Sequence, residues 1–445
     1  MADSSIIERL RREGRMTFAA FMEAALYGPG GYYAQRPAIG GVGADYFTAP
    51  ELHPVFGALL GRQVAEVWDA LGRRPGFDVV EHGPGTGALC RDLLTWAAHE
   101  EPDFARAIRY RLVERSAPLR ERQRETLGAA GLLDSRVVWS DDYHLTPQPP
   151  SLKGRGGLSK SSPFPLGKGA GGLGSQLTGC ILANELLDAF PVHLVAMRQG
   201  RLLERYVVLE GERLALVEDE PSTPALGAYF EQLGLLPGEG CLAEVNLAAL
   251  GWTESTAQSL ARGALLVLDY GYQASELYAP GRRHGTLLCY RDHRLASDPL
   301  EHVGEQDITS HLDFTSLALA GERAGLVTAA FVDQATFLTS LGLQNYLGLL
   351  DRALLGAIEH EANRRALLEL VRRDGLGAVK VLLQTRGLPD FRPSRLAQSM
   401  GRAPTWLPLL SPDQMRLPGP LEVEGFGDLE AQWRDFWTGR DDHDA

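Results

Sequence analysis

The residues with the clearest chemical potential lie in Phe77-Asp-Val-Val-Glu-His-Gly-Pro-Gly-Thr-Gly-Ala-Leu89. An apolar run ends in an acid, Glu81. Three glycines follow at alternate positions, Gly83, Gly85 and Gly87, and a helical pattern then begins. Without a Cβ the backbone can turn sharply and approach a ligand closely. A helix start adds unpaired N–H donors. Two cofactor chemistries use such a loop. A dinucleotide site wants Gly-x-Gly-x-x-Gly/Ala, which Gly83, Gly85 and Ala88 satisfy. An S-adenosylmethionine site places an acid just before the first glycine and alternates Gly-x-Gly-x-Gly, which Glu81, Gly83, Gly85 and Gly87 satisfy. A carboxylate at Glu81 repels a pyrophosphate and attracts a sulfonium or ammonium, so the methyl donor fits better. A tight strand–helix turn with no ligand is the structural alternative.

Other acids fall at strand ends. Glu114 closes Leu112-Val-Glu-Arg115, where a carboxylate can accept both ribose hydroxyls of either cofactor. A solvated strand end is the plainer reading. Asp141 and Asp142 follow a third apolar run, where an adenine amino group could be bound, or where a plain loop runs. A fourth run leads into Ala183-Asn-Glu-Leu-Leu-Asp-Ala-Phe-Pro-Val-His193. Asn184 and Glu185 stand just past its carboxyl end, where open α/β sheets bind ligands. An amide beside an acid can orient an acceptor nitrogen. Asp188 and His193 follow. Helix capping by Asn184 and solvation of Asp188 are the plain alternatives.

The elements that must hold these residues alternate strand and helix. Apolar runs at 77–80, 110–113, 136–139, 179–183, 263–268 and 327–332 predict strands. Runs apolar throughout suit a mostly parallel sheet covered on both faces, an α/β fold. Helices are expected over 87–99, 117–127 and 255–262, and from Asp313 as N-cap to Ala324 before Gly325. This predicts a catalytic domain over 71–335 after an N-terminal helical extension over 1–70. A hairpin over 203–209 and 213–217 and a helix near 225–233 are too much for a simple connection. They predict an inserted cap over about 195–252. The remainder, 336–445, is Leu-rich and expected to be mostly helical, with helices over 347–359 and 361–373. The segment 147–176 has no acid, is packed with Gly, Pro and Ser, and holds Lys153, Lys160 and Lys168 of the chain's four lysines. Its few large apolar side chains cannot offset ordering entropy, which predicts a disordered loop insertion. Gly167-Lys168 is followed by Gly169, so no P-loop is formed.

Composition narrows the function classes. The chain has 445 residues, 44% hydrophobic and 23% charged, which excludes collagen-like, fully disordered and disulfide-stapled classes. A net charge of −13 disfavours a general nucleic-acid or anionic-membrane binder. No apolar run reaches the length of a spanning helix, so no membrane insertion is expected. Cys90, Cys180, Cys241 and Cys289 lie far apart with no Cys-x-x-Cys pair, which fits a reduced protein without structural zinc. Residues 1–17 carry Asp3, Glu8 and Glu13 and lack the pattern of a signal or transit peptide. A cytoplasmic location is the expectation.

The motifs as an ordered set resemble the MidA family. They are Phe21-Met-Glu-Ala-Ala-Leu-Tyr-Gly-Pro-Gly-Gly-Tyr-Tyr33, Asp45-Tyr-Phe-Thr-Ala-Pro-Glu51 with Phe56-Gly57, the Glu81–Gly87 loop, Val113-Glu-Arg-Ser116, Ala183-Asn-Glu185 with Asp188 and Pro191-Val-His193, Asp269-Tyr-Gly271, and Gly304-Glu-Gln-Asp-Ile-Thr309 with Asp313-Phe314. The mitochondrial members of that family are S-adenosylmethionine-dependent arginine methyltransferases that help assemble respiratory complex I. The resemblance implies a class I methyltransferase sheet, S-adenosylmethionine as donor, and an arginine of a partner protein as acceptor, the partner being a respiratory or redox complex subunit. The 147–176 insertion departs from the family pattern. A guanidinium acceptor calls for carboxylates, with Glu185 the first candidate, Asp188 the second and Asn184 beside them. A small-molecule methyltransferase and a non-catalytic assembly factor with a vestigial donor site are the alternatives.

Overall fold

The computed structural model describes residues 4–35, 48–140, 177–291, 294–296, 298–393, 404–411 and 414–416. Asp141, Asp142 and the expected insertion over 147–176 lie outside the described residues. Among the described residues seven strands form the central sheet: β1 (Phe77–His82), β2 (Ile108–Val113), β3 (Val137–Ser140), β4 (Leu177–Asn184), β5 (Leu260–Asp269), β6 (Val327–Asp333) and β7 (Lys380–Arg386). Their order across the sheet is β3-β2-β1-β4-β5-β7-β6. Strands β1 to β5 run parallel, and β7 is antiparallel to both β5 and β6.

Strand alternation divides the apolar residues between two faces. Cys180 and Leu182 of β4 join one core with Val79, Leu266 and Leu383. Ile181 and Ala183 join the other with Val80, Val267 and Leu382. The first face is covered by α1 (Val55–Ala70) and α2 (Ala88–Glu100), with α3 (Ala117–Ala129) at its edge. The second is covered by α4 (Leu247–Ser259) and α5 (Phe314–Arg323), through Trp252, Phe314 and Leu317. α1 and α2 approach closely because Gly57 and Gly61 present bare backbone one turn apart. A Cβ on either would stand 2.5 Å from Asp92 or Trp96.

Three departures from the sequence expectations have physical causes. A boundary at residue 335 cuts the sheet, because β7 arrives from the tail and lies between β5 and β6. Its run Val381-Leu-Leu383 before Gly387 is a strand signal hidden in a Leu-rich context. Among the described residues the tail's α-helices are Gln334–Ser340, Leu343–Leu350 and Ala357–Glu369. The helix expected over 347–359 instead ends at Leu350, and the next begins at Ala357 after Gly356, which is extended with φ −63° and ψ 151°. The helix expected at 255–262 is α4, which begins at Leu247. Asn246 caps it by accepting the Ala249 N–H, and β5 has already started at Leu260.

The inserted cap is an antiparallel sheet ordered Arg15–Thr17, Arg201–Glu210, His193–Arg198 and Leu242–Val245. Strand Arg213–Asp219 forms the expected hairpin with Arg201–Glu210. Residues 1–70 divide between two places. Strand Arg15–Thr17 and the helices Ser4–Glu13 and Phe18–Tyr27 belong with the cap, packing Ile6, Phe21 and Met22 against Leu194 and Val207. Helix α1 belongs with the central sheet.

Candidate active site

The sheet order reverses between β1 and β4, which opens a crevice beyond their carboxyl ends. A cavity of about 840 Å³ lies there, lined from below by Glu81 to Thr86, Glu114 and Asn184 to Leu186.

On one side of it, Gly83, Gly85 and Gly87 take φ values of 63°, 51° and 83°. These left-handed conformations are open to glycine at little cost. A Cβ at Gly83 would meet Leu186 Cδ1 at 2.6 Å. Helix α2 starts after Gly87 with no side-chain cap, so its first turn offers N–H groups and the positive end of its dipole toward the cavity. Glu81 is 3% exposed, and its Oε2 accepts the Tyr110 hydroxyl at 2.7 Å. Burial lifts its carboxyl to about 7, the Tyr110 bond opposes the rise, and the charge of Glu114 adds to it. Glu114 is also pushed up by burial, while its Oε1 accepts the Ser116 N–H at 2.8 Å.

Sequence reasoning missed Gln123, which is fully buried on the inner face of α3. Its Nε2 donates to Gly85 O at 2.8 Å and to Glu114 Oε2 at 3.4 Å, and its Oε1 accepts from Trp139 Nε1 at 2.9 Å. One amide therefore ties the glycine loop to the acid at the end of β2. The available signal was an amide at an apolar stripe position, with Leu119 and Leu127 a turn to either side.

On the other side, Glu185 takes φ 47°, an uncommon conformation for a residue with a Cβ. Its N–H donates to Leu268 O at 2.8 Å. Its Oε1 accepts the Ala49 N–H at 3.1 Å and the Asn184 amide at 3.2 Å. Burial lifts the Glu185 carboxyl to about 8, opposed by the Ala49 bond and reinforced by Asp188. Among the described residues Asn184 Oδ1 is buried without a partner. The following turn is held by Asp269, whose Oδ2 accepts the N–H groups of Leu186, Leu187 and Asp188 at 3.2, 2.9 and 3.3 Å. Asp269 was legible only as part of a motif, without this task.

Glu185 and Asn184 line the cavity, and Asp188 does not. Burial and the charges of Asp269 and Asp307 push the Asp188 carboxyl well up. Asp188 follows Glu185 in the chain without bordering the cavity itself. His193 lines the cavity from the cap side. Tyr27 and Tyr33 stack at 5.3 Å beside it, and the Tyr27 hydroxyl donates to Ala189 O at 3.0 Å.

The two sides are stapled by the segment from Thr48 to Val55. Ala49 holds Glu185, and the Glu51 carboxylate accepts the hydroxyl of Thr86 in the glycine loop. The C-terminal strap then fastens this staple. Gln414 Nε2 donates to Glu51 O at 3.0 Å, and Leu410 N–H donates to Asn363 Oδ1 at 2.9 Å. The same Oδ1 lies 3.1 Å from His53 Nε2, while His53 Nδ1 accepts the Val55 N–H at 3.1 Å. Those roles require the Nε2–H tautomer. Burial, opposed by the Asn363 bond, lowers His53 to about 4, which keeps the ring neutral.

Residues 59–332 match the family of S-adenosyl-L-methionine-dependent methyltransferases. The chain is similar to the mitochondrial protein arginine methyltransferase NDUFAF7 of Mus musculus, 28% identical over 361 residues, 78% of this chain and 76% of the relative. It is similar to the human protein of that name, 28% identical over 377 residues, 82% of this chain and 77% of the relative. A crystal structure of a Burkholderia thailandensis protein bound to S-adenosyl-homocysteine is 31% identical, with a TM-score of 0.74 over 88% of this chain and 93% of that one. A native crystal structure from the same organism is 31% identical, with a TM-score of 0.71 over 88% and 92%. The central sheet is thus the expected class I methyltransferase fold, and S-adenosylmethionine is the donor. The residues fit it: the loop has no Cβ in the way at Gly83, helix N–H groups face the cavity, and buried carboxylates can meet a cation and hydroxyls. The dinucleotide alternative falls. The expected cytoplasmic location is corrected by the curated relatives, which are mitochondrial proteins. Reduced, widely spaced cysteines do not single out one reducing compartment. Among the described residues no helix is long and apolar enough to cross a membrane.

Proposed function

We propose that this chain, which belongs to the family of S-adenosyl-L-methionine-dependent methyltransferases, transfers methyl groups to an arginine side chain of a partner protein. The observation that carries the arginine reading is Glu185. Its half-buried carboxyl borders the donor cavity and has no cationic partner among the described residues. A guanidinium supplies the missing charge and N–H donors in one planar group. The names of the curated relatives support the same acceptor.

When bound, S-adenosylmethionine supplies a methyl group on a sulfonium, open to in-line displacement. The chain's own residues do the rest mainly by positioning. In this reading the glycine loop and the first turn of α2 receive the donor, Glu81 faces its cationic part, and Glu114 accepts from its ribose. Asp142 remains the candidate for the adenine amino group from its place in the sequence. Glu185 and Asn184 hold the acceptor nitrogen. Asp188, which does not line the cavity, is the lesser candidate and stays within the electrostatic reach of Glu185. The partner is proposed to be a respiratory or related redox complex subunit, which rests on the family resemblance alone.

The test is methyl-radiolabelled S-adenosylmethionine with the full chain and an extract of cells lacking it, followed by acid hydrolysis and amino-acid analysis. Label in methylarginine from protein is expected. Label confined to small molecules would replace the arginine reading, and no label at all would leave an assembly factor without catalysis.

A further inference from the structure

His193 opens the cap strand His193–Arg198 and lines the cavity shared by the glycine loop and Glu185. Its Nδ1 lies 2.7 Å from Oε1 of Glu204 on the neighbouring strand. Glu204 is 0% exposed. Its Oε2 accepts the Ser222 N–H at 2.5 Å and the Tyr206 hydroxyl at 3.4 Å. Burial acts to raise the Glu204 carboxyl, but the hydrogen bonds from His193 and Ser222 oppose it and the group lies below its ordinary range. A buried anion against Nδ1 fixes the proton on that nitrogen. The Nε2 lone pair is then free, and Nε2 has no hydrogen-bond partner among the described residues. A buried acid that orients an imidazole beside a reaction cavity is the arrangement of a base and its orienter.

We propose that His193, oriented by Glu204, is the catalytic residue that takes the proton released by the acceptor nitrogen. This rests on the arginine reading above. The nitrogen lone pair forms the new N–C bond, and the C–S bond of the sulfonium breaks with its electron pair going to sulfur. The surplus N–H proton passes to Nε2 of His193, so a guanidinium becomes a methylguanidinium and the imidazole becomes imidazolium against Glu204. Glu185 keeps its charge for holding the cation throughout, so one acid is not asked to do both tasks. Glu204 is a positioning residue.

The experiment measures initial label incorporation by the full chain, with the extract of deficient cells as acceptor, for wild type, His193→Gln, His193→Ala, Glu204→Gln and the double variant His193→Gln/Glu204→Gln. General bases contribute about 10²–10⁴-fold, so His193→Gln should lose at least about a hundred-fold. Glu204→Gln should lose less, and the double variant should be no worse than His193→Gln, since the two act as a unit. Added azoles should rescue His193→Ala in order of their base strength, an effect that a merely structural role would not give. Calorimetric binding of S-adenosylmethionine should be unchanged in every variant, which also reports a folded protein. Equal rates for wild type and His193→Gln, additive losses, or rescue that ignores base strength would overturn the proposal. Label in an acceptor other than arginine would overturn the preceding reading instead, and the His193 variants would be judged on that acceptor.

Discussion

Glu81, the glycine loop, Glu114 and Gln123 all belong to one stretch of strand, helix, strand and helix, between Phe77 and Ala129. Glu185 is held by Ala49, the turn after it by Asp269, and the histidine on the cap side of the cavity by Glu204. The donor side is therefore built from chain neighbours, and the acceptor side from segments that meet only in space. A locally built site can keep one ligand across many proteins. A site assembled from an N-terminal segment, a cap and a C-terminal strap can be retuned by changing any one of them. That is where specificity for an acceptor is expected to reside.

The largest effect should come from breaking the local side. Gly83→Val places a branched side chain at φ 63° with its Cβ 2.6 Å from Leu186 Cδ1. A left-handed conformation costs an L-residue about 1–2 kcal/mol, and overpacking adds about 1–3 kcal/mol. Calorimetry should show S-adenosylmethionine affinity falling more than about a hundred-fold. Retained affinity would mean that the loop does not receive the donor.

Glu185→Gln tests the assembled side. Losing a charged hydrogen bond of roughly 1.5–3 kcal/mol means a ten- to hundred-fold lower transfer rate, at about 1.4 kcal/mol per decade. Donor affinity should stay within about two-fold, because the loss is confined to the acceptor side. The pH dependence sharpens the point. Burial lifts the Glu185 carboxyl to about 8 from an ordinary 4.5, so the anion that grips a guanidinium grows in as pH rises toward 8. At limiting acceptor the wild-type rate should climb over that range and level off above it, and Glu185→Gln should flatten the climb. Stability should move the other way. The folded state favours the neutral carboxyl, so its contribution is full below 4.5 and is lost as pH passes through about 8. Urea unfolding at pH 9 should find Glu185→Gln more stable than wild type. Equal stability would show that the carboxyl is not buried at this cost.

The smallest effect probes the staple between the two sides. Thr86→Val keeps the shape and removes the hydroxyl that Glu51 accepts. A hydrogen bond of about 0.5–1.5 kcal/mol predicts a two- to twelve-fold loss. The loss should show in donor affinity and in transfer rate together, since Glu51 and Ala49 lie on one short helix. A change in one measurement alone would separate the two sides that the staple is inferred to couple.

What could be read in the sequence follows the same division. Glu81 and the alternating glycines are a local pattern, and left-handed φ values at all three glycines are what that pattern demands. The positions of strands β1 to β6 along the chain were legible from their apolar runs. β7 was not, because Val381 to Leu383 among leucine-rich helices carries no period that separates strand from buried helix. Asn184 and Glu185 could be placed at a strand end by counting. That Glu185 is gripped by Ala49, and that Asp188 does not line the cavity, could not.

The residue types and local spacings determined the chemistry available at each strand end and the alternation of strand and helix. Short-range sterics and hydrogen bonding act on near neighbours, so they are written in adjacent letters. Only the tertiary structure decided which strand ends share a crevice and where β7 inserts. It also decided that Gln123, Glu51 and Asp269 serve the site. Those outcomes depend on burial and on partners hundreds of residues apart, such as Gln414 on Glu51. A buried donor or acceptor must find some partner, and packing chooses which one.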